Sequence, residues 1–249
     1  MLKIKLLLIV IIFIFIKSSS AKAEEKRIII RVGGYEFPPY LEKSSTQYTG
    51  YTIDLINNLN ELQNKYYFKL VLTSSVRRYT DIKNNKFDLM FYENENWGWQ
   101  KIQNITFSKS FNKDKEVFVT LANNETLKKC DIKGKKILGY LGYHYSFANF
   151  NSDPENLRYR YNTHLTTSHK NNLLSLINKS ADYAVVNAQY LKNFITNNNS
   201  YKKQLYTCPT PDQEYEQKVL ASNISPITLD EIIELINKVN SKISSSNKN

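Results

Sequence analysis

The chain has 249 residues, 34 Lys and Arg against 23 Asp and Glu, and 41% hydrophobic residues. That length excludes a metal- or disulfide-stapled mini-protein and leaves one large domain or two small ones, and the apolar share is enough to bury a substantial core. The net charge of +11 is spread along the sequence rather than gathered into a stripe, which argues against nucleic acid and for a lysine-rich, solvated surface.

Lys3 and Lys5 precede an unbroken apolar run from Leu6 to Ile16, followed by Ser18-Ser19-Ser20 and Ala21-Lys22-Ala23. This is the layout of a secretory signal peptide, residues 1–23, cut after Ala23. An uncleaved membrane anchor is the alternative, against which stands the run's length of 11 residues, too short to cross a bilayer. Cleavage removes Lys3, Lys5, Lys17 and Lys22 and lowers the charge to +7. No lipid-attachment cysteine follows the site, so the mature protein is expected free in the periplasm. Cys130 and Cys208 are the two cysteines of the chain, and in an oxidising compartment an even pair favours one disulfide, with two buried free thiols as the alternative. Neither has a Cys or His at ligand spacing, and His144, His164 and His169 are scattered, so neither a metal nor a cofactor is expected.

In the mature chain Lys26 to Val32 reads as a buried strand ending at Gly33-Gly34, followed by an aromatic loop stiffened by two prolines, Tyr35-Glu36-Phe37-Pro38-Pro39-Tyr40. Ile53, Ile56, Leu59 and Leu62 recur at helical spacing over 52–63, with Asp54 in the first turn where the helix dipole favours it. A strand over 67–72, a short helix over 77–85 and a strand over 87–92 complete a β-α-β-α-β order, which argues for a mostly parallel sheet covered by helices. A strand over 116–121 leads into a second, similar half: strand 135–140, turn 142–145, helix 171–178, strand 182–186 and helix 188–196. The segment 82–91 even matches 177–186 in its helix end, polar turn, Asp and apolar strand. The chain then returns through 206–222 to a final amphipathic helix over 228–243.

Five stretches carry a family resemblance: Gly34 to Tyr40, Thr49 to Leu55, Asn85 to Met90, Ile105 to Phe111, and Ile132-Lys133-Gly134-Lys135-Lys136-Ile137-Leu138-Gly139. In this order and at these separations the chain resembles the periplasmic solute-binding proteins of the polar amino-acid uptake family, over residues 27 to 240. The resemblance implies an α/β fold, a bilobed clamshell of the periplasmic-binding-protein type (type II), with two mixed, mostly parallel sheets flanked by helices. Lobe one is then 24–116, lobe two 117–205, and 206–249 the return through the hinge to a lobe-one helix. It also implies a small-molecule ligand, an inner-membrane ABC-type permease as partner, and action as a monomer.

Ligands of open α/β sheets lie beyond the carboxyl ends of the strands, where turns and helix starts offer free N–H groups. Here those ends are the 33–40 loop, 92–99, 142–146 and 187–189. Tyr35, Phe37 and Tyr40 can sandwich an apolar or cationic group, or pack as core beneath the loop. Beyond the third strand, Tyr92 to Trp99, Glu93 and Glu95 are either an ammonium receptor or a solvated rim, and Trp97 or Trp99 lines the cleft while the other closes lobe one. The backbone of Gly142, Tyr143, His144 and Tyr145 can hold a carboxylate.

Departures from the family pattern shape the expected ligand. The resemblance implies an arginine shortly after the third strand for the ligand carboxylate, yet none occurs between Asp88 and Val117. It implies an acid in lobe two for the ammonium, and that position is Asn187. The Arg77 position resembles a divergent subgroup with arginine there, either reaching the cleft or facing water. With Glu93 and Glu95 in place, a cationic or neutral solute with an apolar face is expected, and glutamate or aspartate is expected to bind poorly; the alternative is that Arg77, Arg78 or a lysine folds back into the site and reverses the local sign. Without a convincing triad or metal set the protein reads as a binding protein and not an enzyme; the alternatives are a dehydratase-like enzyme using Glu93, Glu95 and His144, or a ligand sensor for a membrane partner.

Overall fold

The β-branched run after the expected cleavage site becomes the inner strand of a parallel ladder. The computed structural model describes residues 26–44 and 46–246. The expected signal peptide, 1–23, and its cleavage after Ala23 lie outside the described residues. In lobe one, β1 (Ile28–Gly34) buries Ile30 and Val32 completely; a small hairpin, β2 (Glu42–Ser44) and β3 (Gln47–Thr49), then leads to α1 (Tyr51–Leu62). Helix α1 packs Leu55, Ile56 and Leu59 inward, as its 3.6-residue spacing dictates. β4 (Tyr66–Leu72), α2 (Arg78–Lys83) and β5 (Leu89–Glu93) follow, and β1 pairs in parallel with both β4 and β5. A short β6 (Ile105–Phe107) precedes β7 (Asn112–Leu121), which carries the chain into lobe two.

Lobe two repeats the plan with β8 (Ile137–Tyr140), α3 (Pro154–Tyr161), β9 (Thr163–Thr166), α4 (His169–Ile177), β10 (Tyr183–Asn187), α5 (Ala188–Asn197) and β11 (Leu205–Thr207). β8 pairs in parallel with β9 and β10. β12 (Gln213–Ser222) returns to lobe one, where α6 (Leu229–Ser246) buries Ile232, Ile236 and Val239, and Glu231 near its start bonds Lys65 and Tyr66 at 2.8 Å each.

The expected parallel ladders lie within the lobes, whereas the strands that cross between them are antiparallel. Residues 112–116 of β7 pair with 213–217 of β12, and this joins both lobes' strands into one ten-stranded sheet. The phrase shared by the two halves has a physical reason. Asp88 Oδ2 accepts from the Arg31 amide at 2.7 Å and Asp182 Oδ2 from the Lys136 amide at 2.8 Å, while each aspartate's own N–H donates back to the same residue's carbonyl. In each lobe one carboxylate thus closes a backbone ring between neighbouring parallel strands, a bond that no apolar residue could supply.

Cys130 and Cys208 form a disulfide, Cα to Cα 5.9 Å, closing a separation of 78 residues. Cys208 follows β11 and its N–H donates to the Phe118 carbonyl of β7, so the bridge ties the first turn of lobe two to the chain leaving it.

Candidate functional site

The facing loops of the two lobes enclose a narrow pocket that leaves about 10 Å³ for water centres. That is the measure of about one water molecule, so the facing loops meet closely here. Tyr35 and Phe37 come from the loop after β1, Arg78 from α2, and Trp97 from the turn after β5. Glu116 comes from the hinge strand β7, and Tyr143 and His144 from the turn after β8. The 35–40 loop is held by a tight turn, with the Phe37 and Leu41 N–H groups each bonded to the other's carbonyl. Its Pro39 and Tyr40 carbonyls accept from the first amides of α1, an approach that Gly50 permits: at φ 111° its added Cβ would lie 2.4 Å from the Pro39 oxygen. Across the cleft, Gly142 at φ 84° lets the lobes meet, since a Cβ there would stand 2.1 Å from Ser75 Oγ. The Phe37 and Tyr143 rings then meet edge to face at 5.2 Å, one from each lobe.

Arg78 is the electrostatic centre. Its side chain is 1% exposed and its Nη1 lies 3.8 Å from Glu93 Oε1, which is equally buried. The guanidinium lies against the Tyr35, Tyr79 and Trp99 rings at 4.4, 4.8 and 5.4 Å. Nη2 donates to Tyr79 Oη at 2.8 Å, and Glu93 Oε2 accepts from Trp99 Nε1 at 2.7 Å. Burial opposes the charge on Arg78, but Glu93, then Tyr35 and Tyr79, hold the guanidinium above its usual pKa. Burial also raises Glu93, against the pull of Arg78 and the Trp99 hydrogen bond.

Six buried polar atoms at or beside this pocket have no hydrogen-bond partner in the protein: Arg78 Nε and Nη1, Trp97 Nε1, Tyr143 Oη, Glu93 Oε1 and Glu116 Oε2. Buried polar groups are nearly always satisfied, so such a cluster leaves donors and acceptors around one pocket open to water or to a polar solute. A larger groove, of about 280 Å³ in the same measure, lies between Tyr40, Tyr51, Tyr92, Phe111 and Asp114, but its acid is satisfied: Asp114 Oδ2 accepts from Tyr40 Oη and from Asn187 Nδ2.

The sequence candidates therefore separate. Tyr35, Phe37, Trp97, Gly142, Tyr143 and His144 line the pocket, and Glu93 stands behind Arg78. Trp99 closes lobe one beneath Tyr79, at 4.6 Å between rings. Tyr145 is fully buried, its hydroxyl donating to the Tyr140 carbonyl at 3.3 Å and accepting from the Tyr140 amide. The turn's next two amides, of Ser146 and Phe147, are already taken by Asp212 at 2.9 Å each. Tyr40 and Tyr92 face the larger groove, their rings 4.5 Å apart. Glu95 is exposed and paired with Lys218 at 2.8 Å. Arg77 is exposed, and the neighbouring Arg78 takes the inward position. Asn187 is buried at the start of α5, where it accepts from the Tyr190 amide and donates to Asp114 at 2.7 Å and Tyr215 at 2.9 Å. Burial, together with Arg78, lowers His144 to a pKa of about 3, so its ring is neutral in the pocket.

Glu116 is missed by the linear reading, and Arg78 enters it only as a group that could fold back into the site, although both leave a signal. Arg78 stands four residues before Ile82 and so shares its inward helix face, which Arg77 does not. Along 112–116 and 213–217 the charged residues Lys113, Lys115, Glu214 and Glu216 point outward and pair across the hinge, so the alternation turns Asn112, Asp114 and Glu116 inward. Among the described residues no group of three or more His, Cys, Asp and Glu side chains is placed to hold a metal.

Comparison with known proteins bears on the fold and the family. The family described as bacterial extracellular solute-binding proteins, family 3, matches residues 30–247. No curated protein matches the sequence. Among solved structures, a substrate binding protein of an ABC uptake transporter from Streptococcus pneumoniae, with bound histidine, is 16% identical with a TM-score of 0.62, over 88% of this chain and 88% of that one. An arginine-bound, truncated ArgBP from T. maritima is 15% identical with a TM-score of 0.59, over 86% and 96%. The arginine-, lysine-, histidine-binding protein ArtJ from Geobacillus stearothermophilus is 14% identical with a TM-score of 0.61, over 87% and 90%. At these identities the likeness is one of fold, and it agrees with two lobes joined by crossing strands. On the match across most of its length, the chain belongs to the bacterial extracellular solute-binding proteins of family 3.

Proposed function

We propose that this protein captures a small, amino-acid-like solute between its lobes, in the periplasm and as a monomer, and presents it to an ABC-type membrane permease. The observation that carries the ligand class is Arg78, whose Nε and Nη1 are buried in the pocket wall without a hydrogen bond in the protein, Nη1 standing 3.8 Å from Glu93. Unbonded N–H donors on a buried guanidinium suit a carboxylate, because charge-assisted hydrogen bonds are the strong ones. The arginine that the linear pattern lacks after β5 is thus supplied from α2. The premise of like-charge repulsion also changes, because Glu93 faces Arg78 and Glu95 faces Lys218. A carboxylate-bearing solute, glutamate and aspartate included, is therefore admitted on charge. Binding of arginine and histidine by similar structures supports the same class. The dehydratase-like alternative loses its acid and base, since Glu95 lies at the surface and the Glu93 carboxylate is engaged by Trp99 and Arg78.

A thermal-shift screen of the twenty L-amino acids and small carboxylic acids tests this reading. A ligand held by the folded state alone stabilises by about 2.7 kcal/mol at a hundredfold excess over Kd. A carboxylate hit whose shift disappears in Arg78→Met supports it. A panel in which no carboxylate stabilises the protein, or in which Arg78→Met binds as well, overturns it.

A further inference from the structure

Glu116 differs from every other ionisable group at the pocket. It is 2% exposed, lines the pocket from the hinge strand β7, and has one oxygen, Oε1, held by Tyr215 Oη at 3.0 Å. Its Oε2 is buried without a partner. Glu93 has Arg78 at 3.8 Å, whereas no ion pair forms at Glu116. The groups that face it are Asp114 on its own strand, Gln213 and Tyr215 on β12, Asp212 just ahead of β12, Tyr143, His144 and Tyr145 after β8, Asn187 at the end of β10, and Arg78 on the opposite lobe. The acids repel it, the hydroxyls and amides are neutral, the His144 ring is neutral, and Arg78 makes its ion pair with Glu93 and none with Glu116. A buried carboxylate in such company is held as the neutral acid, first by burial and then by Asp114.

Resting on the reading above, in which Arg78 takes the solute's carboxylate, we propose that Glu116 is the receptor for the solute's cationic group and that binding expels the Glu116 proton. In the empty pocket Glu116 carries its proton. When an ammonium arrives the O–H bond breaks, the electron pair stays on the carboxylate, the proton leaves to solvent, and an ion pair with Oε2 replaces it. Two consequences follow. The pocket selects a zwitterion over a simple acid, because only a cation pairs the otherwise orphaned oxygen. Binding also tightens as pH rises, since the form that binds is the deprotonated one, and it levels off once the free protein's Glu116 is ionised.

The test uses the full mature chain, with the twenty L-amino acids as probes and each hit compared with its deaminated acid. Titration calorimetry in phosphate and in Tris, buffers of different ionisation enthalpy, counts the protons released. For the wild type we expect up to one proton released per ligand at pH 5.5, and a Kd that falls by up to about tenfold per pH unit below the Glu116 pKa. The deaminated acid should bind at least about thirtyfold more weakly, as loss of one partner of a buried charge pair requires, and release no proton. Glu116→Gln keeps the shape and an acceptor for Tyr215, and a ligand-free melt checks its fold; it should lose both the proton release and the pH slope. The proposal is overturned if the deaminated acid binds as tightly, if Glu116→Gln keeps the wild-type profile, or if binding tightens as pH falls, the sign of a carboxylic acid that donates its proton to the solute. In each of those cases a carboxylate hit lost in Arg78→Met leaves the reading of the site standing. If no amino acid binds the wild type, that reading fails and the role of Glu116 falls with it.

Discussion

Replacing Arg78 by Met should separate stability from binding. The substitution leaves Glu93 buried beside Trp99 with its counter-charge gone. At a separation of 3.8 Å and an effective dielectric near 20, the lost attraction is about 4 kcal/mol, which agrees with the roughly 3–5 kcal/mol cost of breaking a buried pair from one side. Burial of Glu93 is then opposed only by hydrogen bonding from Trp99 and Tyr35, and its pKa rises further. A folded pKa above the unfolded one means that the cost is absent below the unfolded glutamate range and grows as pH rises toward the folded value. The variant should therefore be nearly as stable as the wild type at pH 4 and several kcal/mol weaker at pH 8, as read by urea unfolding. Adding Glu93→Gln should recover most of the loss at pH 8, because a neutral pair leaves no buried charge. Carboxylate binding should stay lost in both variants. A single Arg78→Met variant of unchanged stability at pH 8, or a double variant that regains binding, would refute this account of the Arg78–Glu93 pair.

Three further outcomes are open to measurement. Replacing both Cys130 and Cys208 by Ser frees a 78-residue segment, and the chain-entropy model puts the loss at about 4–5 kcal/mol; a urea midpoint within error of the wild type would contradict it. Asp88→Asn should cost about 1.5–3 kcal/mol and Asp182→Asn about 1 kcal/mol, because Asp88 also takes Arg31 Nε and Nη2 at 3.1 and 2.5 Å whereas Asp182 bonds the Lys136 amide alone; equal losses would show that the shared backbone ring, not the guanidinium, sets the stability. His169 is held at a pKa of about 3 by burial, with both ring nitrogens unpartnered. As pH falls below about 6.5 the unfolded chain takes a proton that the folded ring refuses, at about 1.4 kcal/mol per pH unit, so His169→Phe should flatten the onset of acid unfolding; an unchanged acid limb would place the ring in contact with water.

What the sequence reveals depends on whether the physics is local. Helices α1, α5 and α6 are legible because each must bury one stripe at a 3.6-residue spacing, and β1, β5 and β10 because they are apolar runs bounded by turns. Helix α3 is not: it buries Leu157 alone, exposes Tyr159, and is started by the Asp153 side chain capping the Asn156 amide ahead of Pro154. Strand β7 begins four residues before its apolar run, because its polar half is stabilised by β12, a hundred residues further along the chain. The site follows the same division. Aromatic and glycine positions after the strands announce themselves, since loops at strand ends are where ligands bind. The charges do not, because the meeting of Arg78, Glu93 and Glu116 exists only after α2, β5 and the hinge have been brought together.

Asn187 shows how far a linear alignment of roles can mislead, and it supplies a last test. Read along the chain, it stands where an acid is expected to face the solute, and its amide looks like a missing charge. In the structure the side chain is fully buried and each of its groups is engaged, Oδ1 by the Tyr190 amide and Nδ2 by Asp114 and Tyr215. An amide is needed there because Asp114 at 2.7 Å requires a donor. Asn187→Asp would set a carboxylate against a carboxylate, and one of the two would have to keep a proton, its folded pKa raised above the unfolded aspartate value. By the linkage sign, the variant should match the wild type near pH 4, where the protonated acid still donates to Asp114, and lose about 2–4 kcal/mol by pH 8. Melting temperatures across that range decide the matter. A variant that is equally stable at both ends, and that binds amino acids more tightly, would mean that position 187 faces the solute after all and that Glu116 is not the cation's receptor.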